Sequence, residues 1–418
     1  MGLAGMNVYS VATQDYPEVA MPENLTLPSG CTPEGTSLFT VEKISRQAEF
    51  GAIREEWNEL LGSSDSDCFF LTWEWLSTWC KHLGEEDSLA ISVVRHEGEL
   101  VAIAPFRLRH ASLVDKRPFA TVEFLGSGHA GSDYVDLFIR KGYEAGAMNA
   151  LIEAGGHSAL PHVMLKWNNL RKGDCLARRF ADLLNCVGWT VDEATINICP
   201  YISLKDHTWE SYLSGLGAEH RADFRRKWKR LQRDHEVRFE QVADAEDCRP
   251  TIDLLIRNHN ERWRSRGGSD AFHTPELVAF HHDVSLLTLD KGWLRLYVLR
   301  LNGHPAAFVY GFLYRNKFYF YQSAFDAAYE KYSVGMISMG LAIQSSIAEG
   351  AEEYDLLHGD ESYKSHWSHE SRPLSRLELY PPGLQGWLCR RAITAGRLLR
   401  NADSDVKEAA AGKGAATT

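Results

Sequence analysis

The chain has 418 residues, a formal net charge of −11, a hydrophobic share of 44% and a charged share of 24%. This is enough length for two domains with full cores, in the composition range of ordinary globular proteins. The acidic balance argues against a chain built to coat nucleic acid, and no apolar run approaches the roughly 20 residues that span a bilayer.

The first 36 residues carry Pro17, Pro22, Pro28 and Pro33 without a sustained period, and read as a flexible leader. A strand over Leu38–Ile44 precedes a helix over Ala48–Leu61 and a second helix carrying Trp73, Trp75, Leu76 and Trp79. Two strands then meet at Glu97-Gly98, a hairpin signal. Residues 120–128 and 133–139 add strands around a polar loop, followed by a helix at Tyr143–Ala154, a strand at 162–167, a helix at Leu176–Val187 and a strand at 189–194. The eight cysteines show neither CxxC nor Cys/His ligand spacing, and no signal peptide is evident, so a reduced cytoplasmic location is expected.

A helix around Phe224, Trp228 and Leu231 has these three at i, i+4 and i+7, with Arg221, Arg225, Arg226, Lys227, Lys229, Arg230 and Arg233 on the remaining surface. Two readings stand side by side: a solvated helix docked by its apolar stripe, or a surface at Arg221–Arg233 for an anionic ligand or polymer. A further helix covers residues 251–268, with Arg262 and Trp263 within it and Gly267-Gly268 as a loop. His281 and His282 are adjacent, hence on different helix faces, and no metal site is expected.

The densest chemistry lies in Lys317–Trp367. It reads as an aromatic strand (Phe318–Tyr321), a loop (Asp326–Ser333), a helix (Val334–Ile347) stopped by Gly350, a strand at Tyr354–Leu357, and a polar turn. A helix start at Ser333, Val334 and Gly335 leaves unpaired amides suited to a phosphate. After Trp367 come a closing strand at residues 372–380, Pro381-Pro382, a basic helix with Trp387, Leu388, Leu398 and Leu399, and a small-residue tail from Ala402 to Thr418. That helix docks on the domain or touches a membrane or partner.

The strand, helix start and tail (Tyr354-Asp355, Gly359, Glu361, Tyr363-Lys364, Trp367) resemble the GCN5-related N-acetyltransferase (GNAT) superfamily, and within it the cellulose-biosynthesis CelD-like acyltransferases. The phosphate loop [QR]-x-x-G-x-[GA] falls on Glu330–Gly335, where Ser333 stands in place of the first Gly and Glu330 in place of Gln or Arg. Residues 93–108 also align with residues 298–313, placing Gly98 on Gly303 and Ala102 on Ala307, an offset of 205 positions.

The resemblance implies an α/β (α+β) fold of two tandem acetyltransferase-like domains, each a mixed, mostly antiparallel sheet flanked by helices. The implied boundaries are 38–200 and 241–380, with 201–240 as a basic connection and 381–418 as a terminal helix and tail. It implies transfer of an acyl group from acyl-CoA (acetyl-CoA), a co-substrate held by Gln322, Ser333, Val334, Gly335, Met336 and Ile337. The acceptor is an amine or hydroxyl of a small molecule or saccharide, bordered by Arg262, Trp263 and His358. Asp355, His358, Asp360 and Glu361 are candidate proton acceptors, Tyr363 a proton donor to the leaving thiolate, and Lys364 a partner for developing negative charge. Two alternatives remain: an aminoacyl-tRNA-dependent transferase of the peptidoglycan-bridge type, and a non-catalytic domain pair that binds polysaccharide or a synthase subunit.

Overall fold

A computed structural model describes residues 38–85, 88–112, 119–155, 163–264, 271–359 and 361–398. The leader, the Gly267-Gly268 loop, Asp360, Leu399 and the tail lie outside these. In chain order the elements are β1 (Phe39–Ile44), α1 (Gln47–Ala52), α2 (Arg54–Gly62), α3 (Trp73–Leu83), β2 (Ile91–His96), β3 (Glu99–Ala104), β4 (Phe106–Arg109), β5 (Ala120–Phe124), β6 (Phe138–Ile139), α4 (Glu144–Gly155), β7 (Val163–Arg171), α5 (Leu176–Cys186) and β8 (Thr190–Ser203). The chain continues through α6 (Trp209–Gly215), α7 (Ala218–Asp234), β9 (Val237–Gln241), α8 (Ala245–Arg264), α9 (Pro275–Asp290), β10 (Leu294–Leu301), β11 (His304–Tyr314), β12 (Lys317–Phe325), α10 (Val334–Ala348), β13 (Glu353–Asp355) and β14 (Glu370–Tyr380), and ends in α11 over residues 384–398.

The strands make a mixed α/β structure of two helix-flanked sheets. The smaller has the order β1-β2-β3-β6 and the larger β4-β5-β7-β14-β8-β13-β12-β11-β10-β9. The late strand β14 is seated between β7 and β8, antiparallel to both, so one sheet runs through early and late parts of the chain. Aromatic packing locks the helices onto this sheet. Phe69 stacks on Phe312 at 4.0 Å, and the buried Trp75 meets Phe280, Phe312 and Tyr321 edge-on.

The two aligned hairpins share backbone detail. In β2–β3, Glu97 and Gly98 both have positive φ and the register shifts between Val94 and Arg95. In β10–β11, Asn302 and Gly303 have positive φ and the shift falls between Leu299 and Arg300. The turn and the bulge thus keep the 205-position offset seen in the sequence.

Some local expectations change: the strand expected over residues 120–128 ends at Phe124 and that over 189–194 runs on to Ser203. The helix expected over Ala48–Leu61 is two helices, parted at Ile53, where φ −98° and ψ 15° interrupt the helical backbone. The strand expected over residues 133–139 is reduced to Phe138–Ile139. Tyr134 takes a φ of 59°, and the buried Asp136 carboxylate accepts the amides of Leu137, Leu176 and Ala177. These side-chain bonds replace a strand ladder, the competition that short acidic residues offer the backbone.

Candidate active site

The site is assembled where β12 and β13 part. Their parallel pairing ends at Tyr319 and Asp355, while β12 runs on to Phe325. The segment after β13 keeps to β8 instead, the amides of Leu356 and Gly359 donating to Pro200 O and Ile198 O. Beyond β12 the chain makes one short 3₁₀ segment, and α10 begins after Ser333 in left-handed backbone at φ 57°. Ser333 makes no side-chain cap, and the first intrahelical bond runs from Ile337 N–H to Ser333 O. The amides of Val334, Gly335 and Met336 therefore have no intrahelical acceptor. Val334 and Ile337 point their side chains into the core, leaving Ser333, Gly335 and Met336 half-buried at the opening. Gln322 and Ser323 sit on the stretch of β12 beyond its β13 pairing, where it pairs with β11, and the Gln322 side chain accepts the Ser323 amide.

Cations surround this helix start. The α7 stripe docks as its spacing requires, with Phe224 and Leu231 buried and Trp228 half-buried. A Cβ on Gly340 of α10 would come within 2.3 Å of the Phe224 ring, so the close approach of the two helices needs glycine there. That packing sets Lys227 Nζ 4.0 Å from Met336 Sδ and Arg230 over the Tyr332 ring at 5.4 Å, beside Lys331 at 5.1 Å. Arg262 of α8 lies 4.6 Å over the Phe325 ring, itself against Gly335. α7 also neutralises its charge locally: Asp223 pairs with Arg226 and, at 2.6 Å, with Lys227, Asp234 pairs with Arg233 and, at 3.6 Å, with Arg230, and Arg225 pairs with Glu210. Such exposed pairs add little stability. Trp263 turns toward His259, 6.1 Å between rings.

The turn after β13 holds the titratable groups. His358 Nδ1 bonds the Asp133 carboxylate at 2.9 Å, and the His358 amide donates to the other Asp133 oxygen, also at 2.9 Å. Asp133 is fully buried, whereas the His358 side chain is 40% exposed, so the imidazole edge carrying Nε2 opens outward. The hydrogen bond to Asp133, and then its charge, raise the His358 pKa above the ordinary histidine value against the opposing effect of burial. Asp133 belongs to the glycine-rich loop after β5. Ala130 O of that loop accepts the Tyr321 hydroxyl at 2.9 Å, and a Cβ on Gly131 would lie 3.5 Å from His358 Cε1. Loop, β12 and turn are thus one assembly.

Lys364 is buried, donating to His358 O at 2.7 Å and Leu357 O at 3.3 Å and pairing with Glu361 at 2.9 Å. It staples the turn that presents His358. Gly359 permits this, since its φ is 122° and a Cβ would meet Glu361 and Lys364 Nζ within 3 Å. Asp355, also fully buried, accepts the Leu357 amide and pairs with Arg372 at 3.0 Å. Burial pushes its pKa up to about 6, with Arg372 opposing. Tyr363 is 39% exposed. Partial burial and then the charge of Glu361 raise its pKa, so it remains protonated at neutral pH. Sequence reasoning missed Asp133, which was read as part of a strand; the glycine-rich loop was its only signal.

Most of this geometry lies within a recognised segment. Residues 218–365 match the acetyltransferase (GNAT) domain. The GNAT segment takes in α7, the whole β12–α10–β13 unit and the turn to Lys364, with Asp133 contributed from outside it. Similar solved structures include FemX, at 12% identity and a TM-score of 0.55 over 81% of this chain and 96% of that one. L-PGS from Bacillus licheniformis gives 12% and 0.47 over 83% and 96%, and a tandem GNAT protein from the clavulanic acid biosynthesis pathway 11% and 0.39 over 81% and 98%. At 12% identity the likeness to FemX is one of fold. A search of curated proteins returns no match.

Proposed function

We propose that the protein is an acyltransferase that moves an acyl group from acyl-CoA directly to an amine or hydroxyl, with His358 as general base. The observation that carries this reading is the uncapped start of α10 beside the parting of β12 and β13, inside the GNAT segment and ringed by Lys227, Arg230, Lys331 and Arg262. The pyrophosphate of the donor takes the amides of Val334, Gly335 and Met336, where helix partial charge and cations both favour an anion. Its pantetheine arm runs between the strands along Gln322 and Ser323.

At the reacting end, neutral His358 donates Nδ1–H to Asp133, which leaves the Nε2 lone pair for the acceptor's proton. The freed acceptor attacks the thioester carbonyl, and Tyr363, protonated at neutral pH, supplies the proton to the departing thiolate. Asp355, Lys364 and Glu361 act by holding the turn rather than by moving protons. We further read the chain as two related domains, 38–200 and 241–380, joined by 201–240. The matching hairpin bulges support descent from one duplicated unit, with the acceptor, a small molecule or saccharide, entering between the glycine-rich loop and the His358 turn.

A second reading is aminoacyl transfer from an aminoacyl-tRNA. The fold likeness to FemX fits it as well, and so do the exposed arginines of α7. Calorimetric titration with acetyl-CoA and longer acyl-CoAs separates the two. Saturable binding is expected, and loss of at least ~100-fold in the Gly335→Trp variant, because even a Cβ at this position lies 3.1 Å from Phe325 and an indole fills the phosphate cradle. Wild-type protein that ignores every acyl-CoA overturns the leading reading, and capture of aminoacyl-tRNA then establishes the second.

A further inference from the structure

The helix α11 carries two opposed faces. Its inner face is Gly386, against the Pro381 backbone, and Cys389 and Ile393, which pack on Met164 and Tyr380 of the large sheet. Its outer face is Leu384, Leu388, Arg391, Ala395 and Leu398, spaced four and three apart and therefore on one side of a helix, with Trp387 beside them. Leu384 is 71% exposed, Trp387 54%, Leu388 49% and Leu398 66%, which makes this stripe the main concentration of exposed large apolar side chains among the described residues.

A buried helix needs no such face, and a surface helix of a soluble chain usually turns polar residues outward. Two occupants compete, a second copy of the chain and a lipid surface. The stripe is ~22 Å long at about 1.5 Å per residue and ~10 Å wide, hence on the order of 200 Å². A stable protein interface takes about 800 Å² per partner, several times more. An interfacial helix needs only that one apolar face sink into the headgroup boundary.

Charge selects the kind of surface. In a chain of net charge −11, residues 384–398 contain three arginines and no acid. Arg390 is matched by Asp192 at 2.7 Å and Arg397 by Glu378. Among the described residues Arg391 has no carboxylate partner, and it lies 5.4 Å over the Trp387 ring on the outer face. A tryptophan with an arginine beside it, flanked by leucines, matches the layers of a membrane boundary: ring at the headgroup level, leucines below, guanidinium on lipid phosphate. We propose that the outer face of α11 is a docking surface for anionic membrane lipid, which seats the protein peripherally on the bilayer.

The test is flotation of the full chain with vesicles of phosphatidylcholine alone and with phosphatidylglycerol added. Wild type floats with the anionic vesicles. Trp387→Ala combined with Leu388→Ala lowers partitioning by at least ~10-fold, and Arg391→Gln by about fivefold on anionic vesicles with no change on neutral ones. All three side chains face solvent, so thermal midpoints remain at the wild-type value, which separates lost docking from lost folding. Failure of wild type to float overturns the proposal, as does a double variant that floats like wild type. Displacement by soluble glycerophosphoglycerol also overturns it, because a lone anion site is then responsible. So does a wild-type dimer that Trp387→Ala dissociates while vesicles are ignored, which makes the face a contact between copies.

Discussion

His358→Gln is expected to lower turnover by about 10²- to 10⁴-fold while leaving acyl-CoA affinity nearly unchanged, the range lost when a positioned general base is removed. The imidazole is partly exposed and, among the described residues, its side-chain hydrogen-bond partner is Asp133, so its loss opens no large cavity. Acid–base function predicts a pH signature that a packing role does not. The base works as the neutral imidazole, and Asp133 stabilises the charged form, so activity rises with pH through a pKa above the ordinary histidine value of about 6.5. Asp133→Asn removes the negative charge and moves that rising limb to lower pH. It also lowers turnover, because an amide no longer fixes the tautomer with Nε2 free. The stability linkage has a definite sign: a histidine pKa raised by folding stabilises most below its unfolded value, and the contribution fades as pH rises through the folded value. The pair therefore stabilises the fold most in mild acid, where the enzyme is least active. A limb that stays put in Asp133→Asn, or a His358→Gln enzyme within threefold of wild type, removes His358 from the role of base.

How much of this was legible beforehand depends on the range of the interaction. The unit from β12 to β13 is local: an aromatic run, apolar Ile337, Leu341 and Ile347 near helical spacing and a glycine at Gly350 each announce themselves within a few positions, and the observed helix runs from Val334 to Ala348 as its start signal implies. The hairpins at Gly98 and Gly303 are equally local, because a turn with positive φ demands particular residues. The seating of β14 between β7 and β8 joins segments about 200 positions apart, and nothing in a strand's own alternation names its neighbours. Asp133 illustrates the limit most sharply. Its partner lies 225 positions away, and its stretch looks like a strand until the carboxylates of Asp133 and Asp136 are seen taking backbone donors. Lys364 was legible as a reactive type of residue in the right turn, but its burial against two carbonyls was not, because exposure is a property of the packed chain.

Arg372→Ala is expected to cost about 3–5 kcal/mol of stability near neutral pH, the range for leaving a buried charge unpaired. Arg372 reaches from β14 to the end of β13, meeting Glu353 at 2.6 Å and Asp355 at 3.0 Å, with its guanidinium 3.7 Å over the Tyr201 ring. Without it Glu353 still has Lys317 at 3.0 Å, whereas Asp355, fully buried, keeps only the Leu357 amide as a hydrogen-bond donor among the described residues. Burial already holds the Asp355 pKa near 6 with the arginine opposing, so removing the arginine drives it higher. A carboxyl pKa raised by folding makes the fold lose stability as pH rises from the unfolded value toward the folded one. In the variant that loss extends to higher pH, so the penalty is small below about pH 5, where the folded carboxyl is already neutral, and grows through pH 6 and above. Denaturant unfolding across this range checks both size and sign. Adding Asp355→Asn to Arg372→Ala removes the buried charge and is expected to recover part of the stability. If instead the double variant is no better than the single one, and the single penalty is flat with pH, the arginine acts through packing on Tyr201 and not through its charge.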